Sequence, residues 1–182
     1  MILLALDLST KNTGYAIYQE SILITHGCIS INNNNLFNRI EHMTVTINDL
    51  IHKYKIDFVI LEDVLPDDVH HNQSVYKALT YLQGFILNCL NSNNIPFKLF
   101  TASEWRKKCG IHTGRGIKRD VLKTKDIEFV QKHFDIIVND DEADAICIGF
   151  AFIQDNIDDE TFILRQKDNG ELALHYLFIF LR

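Results

Sequence analysis

Two short runs, Ile2-Leu3-Leu4-Ala5-Leu6 and Phe58-Val59-Ile60-Leu61, contain no polar residue, and each stops at a carboxylate, Asp7 and Glu62. Uninterrupted apolar runs of this length read as strands buried on both faces, which a chain can hold only inside a sheet covered by helices. A third apolar run, Ala145 to Phe150, opens directly after Asp144, with Asp141 one helical turn earlier. Acids at the margins of buried elements need a compensating charge. If the strands lie side by side and the late helix crosses their ends, a divalent cation held by oxygen ligands can serve all four.

The pattern along the chain predicts the rest of the fold. Residues 2–7, Thr13 to Tyr18 and Ile22 to Ile31 read as three strands, with Lys11-Asn12-Thr13-Gly14 turning between the first pair. Strands joined by such short turns are antiparallel. Leu36, Ile40, Met43, Ile47, Leu50, Ile51 and Tyr54 recur at steps of three and four, which makes an amphipathic helix. Phe58 to Glu62 follows as a strand, then Asp63 to Asn72 as an acidic loop whose His70 and His71 read as solvated. Gln73 to Leu90 is a second helix with apolar residues on more than one side, wide enough to cover a partner or another element.

Phe97 to Phe100 is a further strand, and Thr101 with Glu104 has capping-box spacing for a short helix that carries Trp105, assigned to the core. Gly110, Gly114 and Gly116 form a basic loop before a helix from Ile117 to Phe134. Asn139 with Glu142 caps a last helix reaching about Phe152. Thr161 to Arg165 and Leu172 to Phe180 flank Lys167-Asp168-Asn169-Gly170, a hairpin signal. This order gives an α/β fold with a mixed five-stranded sheet, its first three strands antiparallel, flanked by helices. At 182 residues the chain fits one domain, residues 1–156, with a C-terminal extension, 157–182, that packs on the same domain or on a second copy.

Charge is unevenly spread. Between Ser103 and Lys125 stand eight bases against two acids, so this stretch carries +6 in a chain whose net charge is −6, leaving −12 elsewhere. A basic patch on an acidic body suits a local nucleic-acid contact, through Arg106, Lys107, Lys108, Arg115, Lys118, Arg119 and Lys123. Cys28, Cys89, Cys109 and Cys147 lack metal-ligand spacing and read as reduced structural thiols, which points to the cytoplasm. No apolar leader opens the chain, and Leu172 to Leu181 is about half the roughly 20 residues a membrane helix needs, so no membrane partner is expected.

Phosphodiester hydrolysis needs a hydroxide nucleophile and charge neutralisation on both attacking and leaving oxygens, and two magnesium ions about 4 Å apart supply both when several carboxylates converge. In order, Leu4-Ala5-Leu6-Asp7-Leu8-Ser9-Thr10-Lys11-Asn12-Thr13-Gly14-Tyr15-Ala16, Val59-Ile60-Leu61-Glu62 and Asp141-Glu142-Ala143-Asp144-Ala145 resemble the RuvC family of Holliday-junction resolvases, within the ribonuclease H-like superfamily. The resemblance is nearest to the phage-type and poxvirus-type branch and covers roughly Met1 to Ile153.

What the resemblance implies is a homodimeric endonuclease, dependent on two Mg2+ ions with Mn2+ as a substitute, that nicks opposed strands of a four-way junction. The products carry 5′-phosphates and 3′-hydroxyls. It places Asp7 between the metals, Glu62 on one of them, Asp141 and Asp144 completing the set, and Lys118 or Arg119 near the scissile phosphate. The helix at 73–90 falls at the family's dimer seam. Asp7-Leu8-Ser9 replaces the Asp-Pro-Gly of bacterial members, and Leu65 stands where they have an aromatic wedge, which implies relaxed nucleotide preference. Rival readings are another ribonuclease H-like nuclease acting on RNA–DNA hybrid or in transposition, a non-catalytic DNA-binding module, and an actin-like or sugar-kinase ATPase. The last would need a duplicated second domain that this chain has no room for.

Overall fold

Alternation along the strands decides which residues meet which helices. In the computed structural model, which describes residues 1–66, 72–114 and 116–157, strand β1 (Ile2–Asp7) lies at the centre of a five-stranded sheet. It pairs antiparallel with β2 (Asn12–Gln19), which pairs antiparallel with β3 (Ile22–Ser30). On its other side β1 pairs parallel with β4 (Phe58–Glu62), and β4 with β5 (Phe97–Phe100), giving the order β3-β2-β1-β4-β5. The mixed sheet with three leading antiparallel strands is the one the sequence predicts.

Leu4, Leu6, Val59 and Leu61 pack beneath helices α1 (Leu36–Tyr54) and α2 (Gln73–Ser92), against Ile40, Met43, Ile47, Leu82, Ile86 and Leu90. Leu3, Ala5, Phe58 and Ile60 face the opposite layer, made by α3 (Ala102–Lys108), α4 (Arg119–Phe134) and α5 (Asp140–Ile157). Successive side chains on a strand point to opposite faces. Asp7 therefore continues the Leu3-Ala5 row and Glu62 the Phe58-Ile60 row, both toward α5. The register pairs Leu6 with Leu61, so the two acids leave the parallel strands side by side.

Side-chain caps set four helix starts, that of α2 through the Asn72 carboxamide, which accepts from the Val75 amide. The Asn35 carboxamide accepts from the amides of Phe37 and Asn38, and Thr101 with Glu104 forms the expected capping box. At α5 the Asn139 side chain accepts from the Glu142 amide at 2.9 Å while the Glu142 carboxylate accepts from the Asn139 amide. Several boundaries differ from expectation: the turn expected at Lys11 to Gly14 lies earlier, because Asn12, Thr13 and Gly14 already pair in β2, β3 stops at Ser30, and α2 runs on to Ser92. Helix α4 starts at Arg119 rather than Ile117, because Gly116 has φ 88° and Lys118 is extended at the cap position. Helix α5 runs past Phe152 to Ile157, since Phe152 and Ile153 still have core to bury and nothing breaks the backbone after them.

Helix α5 lies close against the sheet at two glycines. A Cβ at Gly149 would stand 2.4 Å from the Tyr18 ring, whose hydroxyl donates to the Ile146 carbonyl at 2.7 Å. At Gly14 a Cβ would stand 1.9 Å from the backbone oxygen of Asp141. All four cysteines are free thiols, and no helix among the described residues is long and apolar enough to cross a membrane. The hairpin expected at Thr161 to Phe180, the extension expected at 157–182 apart from Ile157, which ends α5, and His70, His71 and Arg115 lie outside the described residues.

Candidate active site

Three elements deliver the acids to one place. Asp7 and Glu62 end neighbouring strands, and the first turn and a half of α5, held close by Gly14, brings Asp141 and Asp144 over them. The loop after Asp7 is knitted by Thr13, fully buried, whose hydroxyl donates to the Ser9 carbonyl at 2.6 Å and accepts from the Ser9 amide at 3.0 Å. After Glu62, the Gln83 carboxamide of α2 donates to Asp63 at 3.2 Å.

Electrostatically, Asp7 is linked to each of the other three acids. Burial, then the charges of Glu62 and Asp141, push the Asp7 carboxyl up to about 8. Asp144 is raised well above the carboxylate range by burial first, then by Asp7 and Asp126. Asp141 is raised by burial and by Asp140. Lys123 and Arg119 oppose these shifts at both Asp7 and Asp141. Like charges crowded in a half-buried cleft, with basic groups around the rim, are the environment in which functional acids are perturbed.

The chemistry of this donor set is that of a hard cation's ligands. All four donors are carboxylates, the hard oxygen ligands that suit magnesium or manganese. The buried Oδ1 of Asp144 has no hydrogen-bond partner among the described residues. A small cavity of about 40 Å³ lies between Asp7 and Glu62, bounded also by Leu8, Asp63, Val64, Leu65 and Leu79. Its volume suits a water-sized guest and excludes a nucleobase. As their side chains stand, no group of three His, Cys, Asp or Glu among the described residues could hold a metal ion. The backbone brings the acids together, and Trp105 and Arg106 already engage two of them.

The sequence reading places Trp105 in the core and Arg106 on the DNA-binding surface, and only the first agrees with the structure. Trp105 is core, fully buried, but its indole N–H also donates to Glu62 Oε2 at 2.8 Å. Arg106, expected on the DNA-binding surface, is instead buried: its guanidinium forks onto Asp126 of α4, with Nη2 to Oδ2 at 2.8 Å and Nε to Oδ2 at 3.0 Å. It also stands 3.7 Å from Asp144. A run of bases on a short helix cannot all be solvated when one face packs against α5 and the end of β4, and Trp105 and Arg106 occupy that face. Removing Asp126 would strand a buried guanidinium. Asp126→Ala is expected to lower unfolding free energy by about 3 kcal/mol, the low end for a broken buried pair because Asp144 is near enough to share the charge. Chemical denaturation measures it, and a loss below about 1 kcal/mol would contradict the pairing.

The remaining bases divide. Lys118 and Arg119 are exposed at the start of α4, and Lys107 is exposed beside an open depression lined by Ser103, Gly110 and His112. Lys108 pairs with Asp155 and Lys123 with Asp140, so these two are held at the protein surface by acids. Lys123 also faces the acid cluster, which the sequence did not single out.

Residues 3–158, which include all four acids, match the family described as crossover junction endodeoxyribonuclease RuvC. The chain belongs to the RuvC family. A crossover junction endodeoxyribonuclease RuvC from Rickettsia typhi is 25% identical over 160 residues, covering 83% of this chain and 96% of the relative. Among solved structures, T. thermophilus RuvC in complex with Holliday junction substrate superposes with TM-score 0.70 at 10% identity, over 86% of this chain and 96% of that one. Fowlpox virus resolvase in complex with Holliday junction DNA gives 0.59 at 16% identity, over 86% and 99%. The RuvC fold is thus shared with both the bacterial and the poxvirus branch.

Proposed function

We propose that this RuvC-family chain is a magnesium-dependent endonuclease that resolves four-way DNA junctions by paired nicks, acting as a homodimer. The observation that carries the proposal is the convergence of Asp7, Glu62, Asp141 and Asp144 from two parallel strand ends and one helix, inside the segment that matches the family. Asp7, central to the cluster, Glu62, Asp141 and Asp144 would hold the divalent metal. When bound, divalent metal supplies Lewis-acid charge that activates the attacking water and stabilises the leaving oxygen.

The chain's own residues do the rest. Arg119 and Lys123 stand near enough to Asp7 and Asp141 to lower their carboxyls, so a phosphate brought to the acids meets cationic charge at the rim. Lys118, exposed beside them, supplies a further contact to the DNA backbone. On the opposite layer Val75, Tyr81 and Phe85 of α2 are exposed, and Phe37 of α1 stacks on Tyr81 with centroids 6.4 Å apart. That apolar face supports a dimer seam through α2, which sets two cutting sites on opposed strands.

The test is cleavage of four substrates by one purified sample: junction, fork, duplex and RNA–DNA hybrid, each with Mg2+ or Mn2+. Symmetric, ligatable nicks in the junction are expected, with duplex and hybrid left intact. Preferential cutting of hybrid would replace the proposal with a ribonuclease H activity, and a monomer by sedimentation would remove paired nicking. Exchanging both Lys118 and Arg119 for Ala is expected to weaken junction binding and flatten its dependence on log salt by about 2, one unit per lost phosphate contact. An unchanged slope in a filter-binding titration would take this pair off the DNA.

A further inference from the structure

The geometry points to Trp105 as a positioning residue for Glu62: its indole N–H fixes the carboxylate at the angle from which Glu62 meets the cation, an inference that rests on the metal-dependent reading above. The contact is 2.8 Å long and joins residues 43 positions apart, so the fold makes it and local sequence does not. Trp105 has no freedom to drift. It is fully buried, and the Arg106 guanidinium lies over its ring at 4.1 Å. Arg106 is itself forked onto the fully buried Asp126. Helix α3 therefore presents two adjacent side chains to two acids of the site, Trp105 to Glu62 and Arg106 toward Asp144.

The chemistry of the donor matters. A buried indole N–H seeks an acceptor, and a neutral donor orients a carboxylate without cancelling the charge that a cation requires. A lysine or arginine in its place would compete with the metal. Partners of this kind typically cost about 10–100-fold in metal affinity or activity when removed.

The chain has one tryptophan, so its emission reports on this side chain alone. Mg2+ added to the wild-type protein without DNA is expected to change Trp105 emission with a saturable midpoint, and Glu62→Gln is expected to abolish that response. Trp105→Phe keeps a ring in the core and removes the N–H. It is expected to raise the Mg2+ concentration for half-maximal junction cleavage about tenfold, with the rate largely restored at high Mg2+ and metal-free junction binding unchanged. Damage to the fold alone would lower the melting temperature and the plateau rate without moving the midpoint. A midpoint within twofold of wild type, or a silent emission at saturating Mg2+, would overturn the assignment. If Asp7→Asn also left cleavage intact, the metal-dependent reading itself would fall; if it abolished cleavage, only the role of Trp105 would.

Discussion

Asp7→Asn is expected to abolish Mg2+-dependent cleavage of a synthetic four-way junction while leaving junction binding within a few-fold of wild type. Asp7 touches both sides of the cluster, since Glu62 and Asp141 each push its carboxyl upward. An amide keeps the shape and removes the negative oxygen, so the loss should exceed the roughly hundredfold ceiling seen when only an outer partner of a ligand is removed. In the proposed reading binding rests on other groups, Lys118 and Arg119 among them, and the variant places one less negative charge beside the phosphate. Nicking at the wild-type rate would remove Asp7 from the mechanism.

The same substitution should act oppositely on the fold. With its carboxyl raised from 3.8 to about 8, Asp7 favours folding when protonated; that contribution is complete below about pH 4 and is lost as pH climbs toward 8. Metal-free wild-type protein is therefore less stable at pH 8 than at pH 5 by an amount that Asp7→Asn does not lose. Its melting temperature should exceed wild type by several degrees at pH 8, about 2–4 °C per kcal/mol in a chain of this size, and by less at pH 5. Mg2+ should stabilise the wild type at pH 8 and the variant much less, because a ligand that binds only the native state raises its stability. Equal gains at both pH values would show that Asp7 is not held in the crowded, protonated state.

The strands and the acids were readable because their signal is local: a polar residue ending an apolar run declares itself, and alternation from Leu3 and Ala5 already assigns Asp7 a face. The order of elements then leaves few ways to arrange the sheet. The basic segment was less readable. Its summed charge says that cations are present and not which way they point, and only the packing of α3 separates buried Arg106 from exposed Lys107. A hint existed in Asp126, an acid set among Ile127, Phe129 and Val130 on a helix otherwise packing into the core. Buried acids call for a base. The contact between Trp105 and Glu62 carried no such hint, because any buried tryptophan needs an acceptor and many could serve. Gly14, read as part of a turn, turns out to be defined by a helix more than a hundred residues later.

That glycine gives the second large effect: Gly14→Ala is expected to cut junction cleavage by about a hundredfold or more. The added methyl would stand 1.9 Å from the Asp141 carbonyl oxygen and 2.5 Å from its carbon, both backbone atoms with no rotamer to escape into. Strand β2 cannot yield, because Gly14 pairs with Asp7 on one side and Cys28 on the other, in the middle of the antiparallel sheet. The start of α5 must move instead, and with it Asp141 and Asp144. A misplacement of about 1 Å is enough to cost roughly a hundredfold in rate. The rest of α5 stays anchored by its apolar run and by Tyr18 on Gly149, so the fold should survive with a loss of about 1–3 kcal/mol, the usual range for overpacking. Kinetics at saturating Mg2+ alongside thermal melts separate the two effects. A variant that melts lower yet cleaves within threefold of wild type would show that the seat of α5 on β2 does not set the position of its acids.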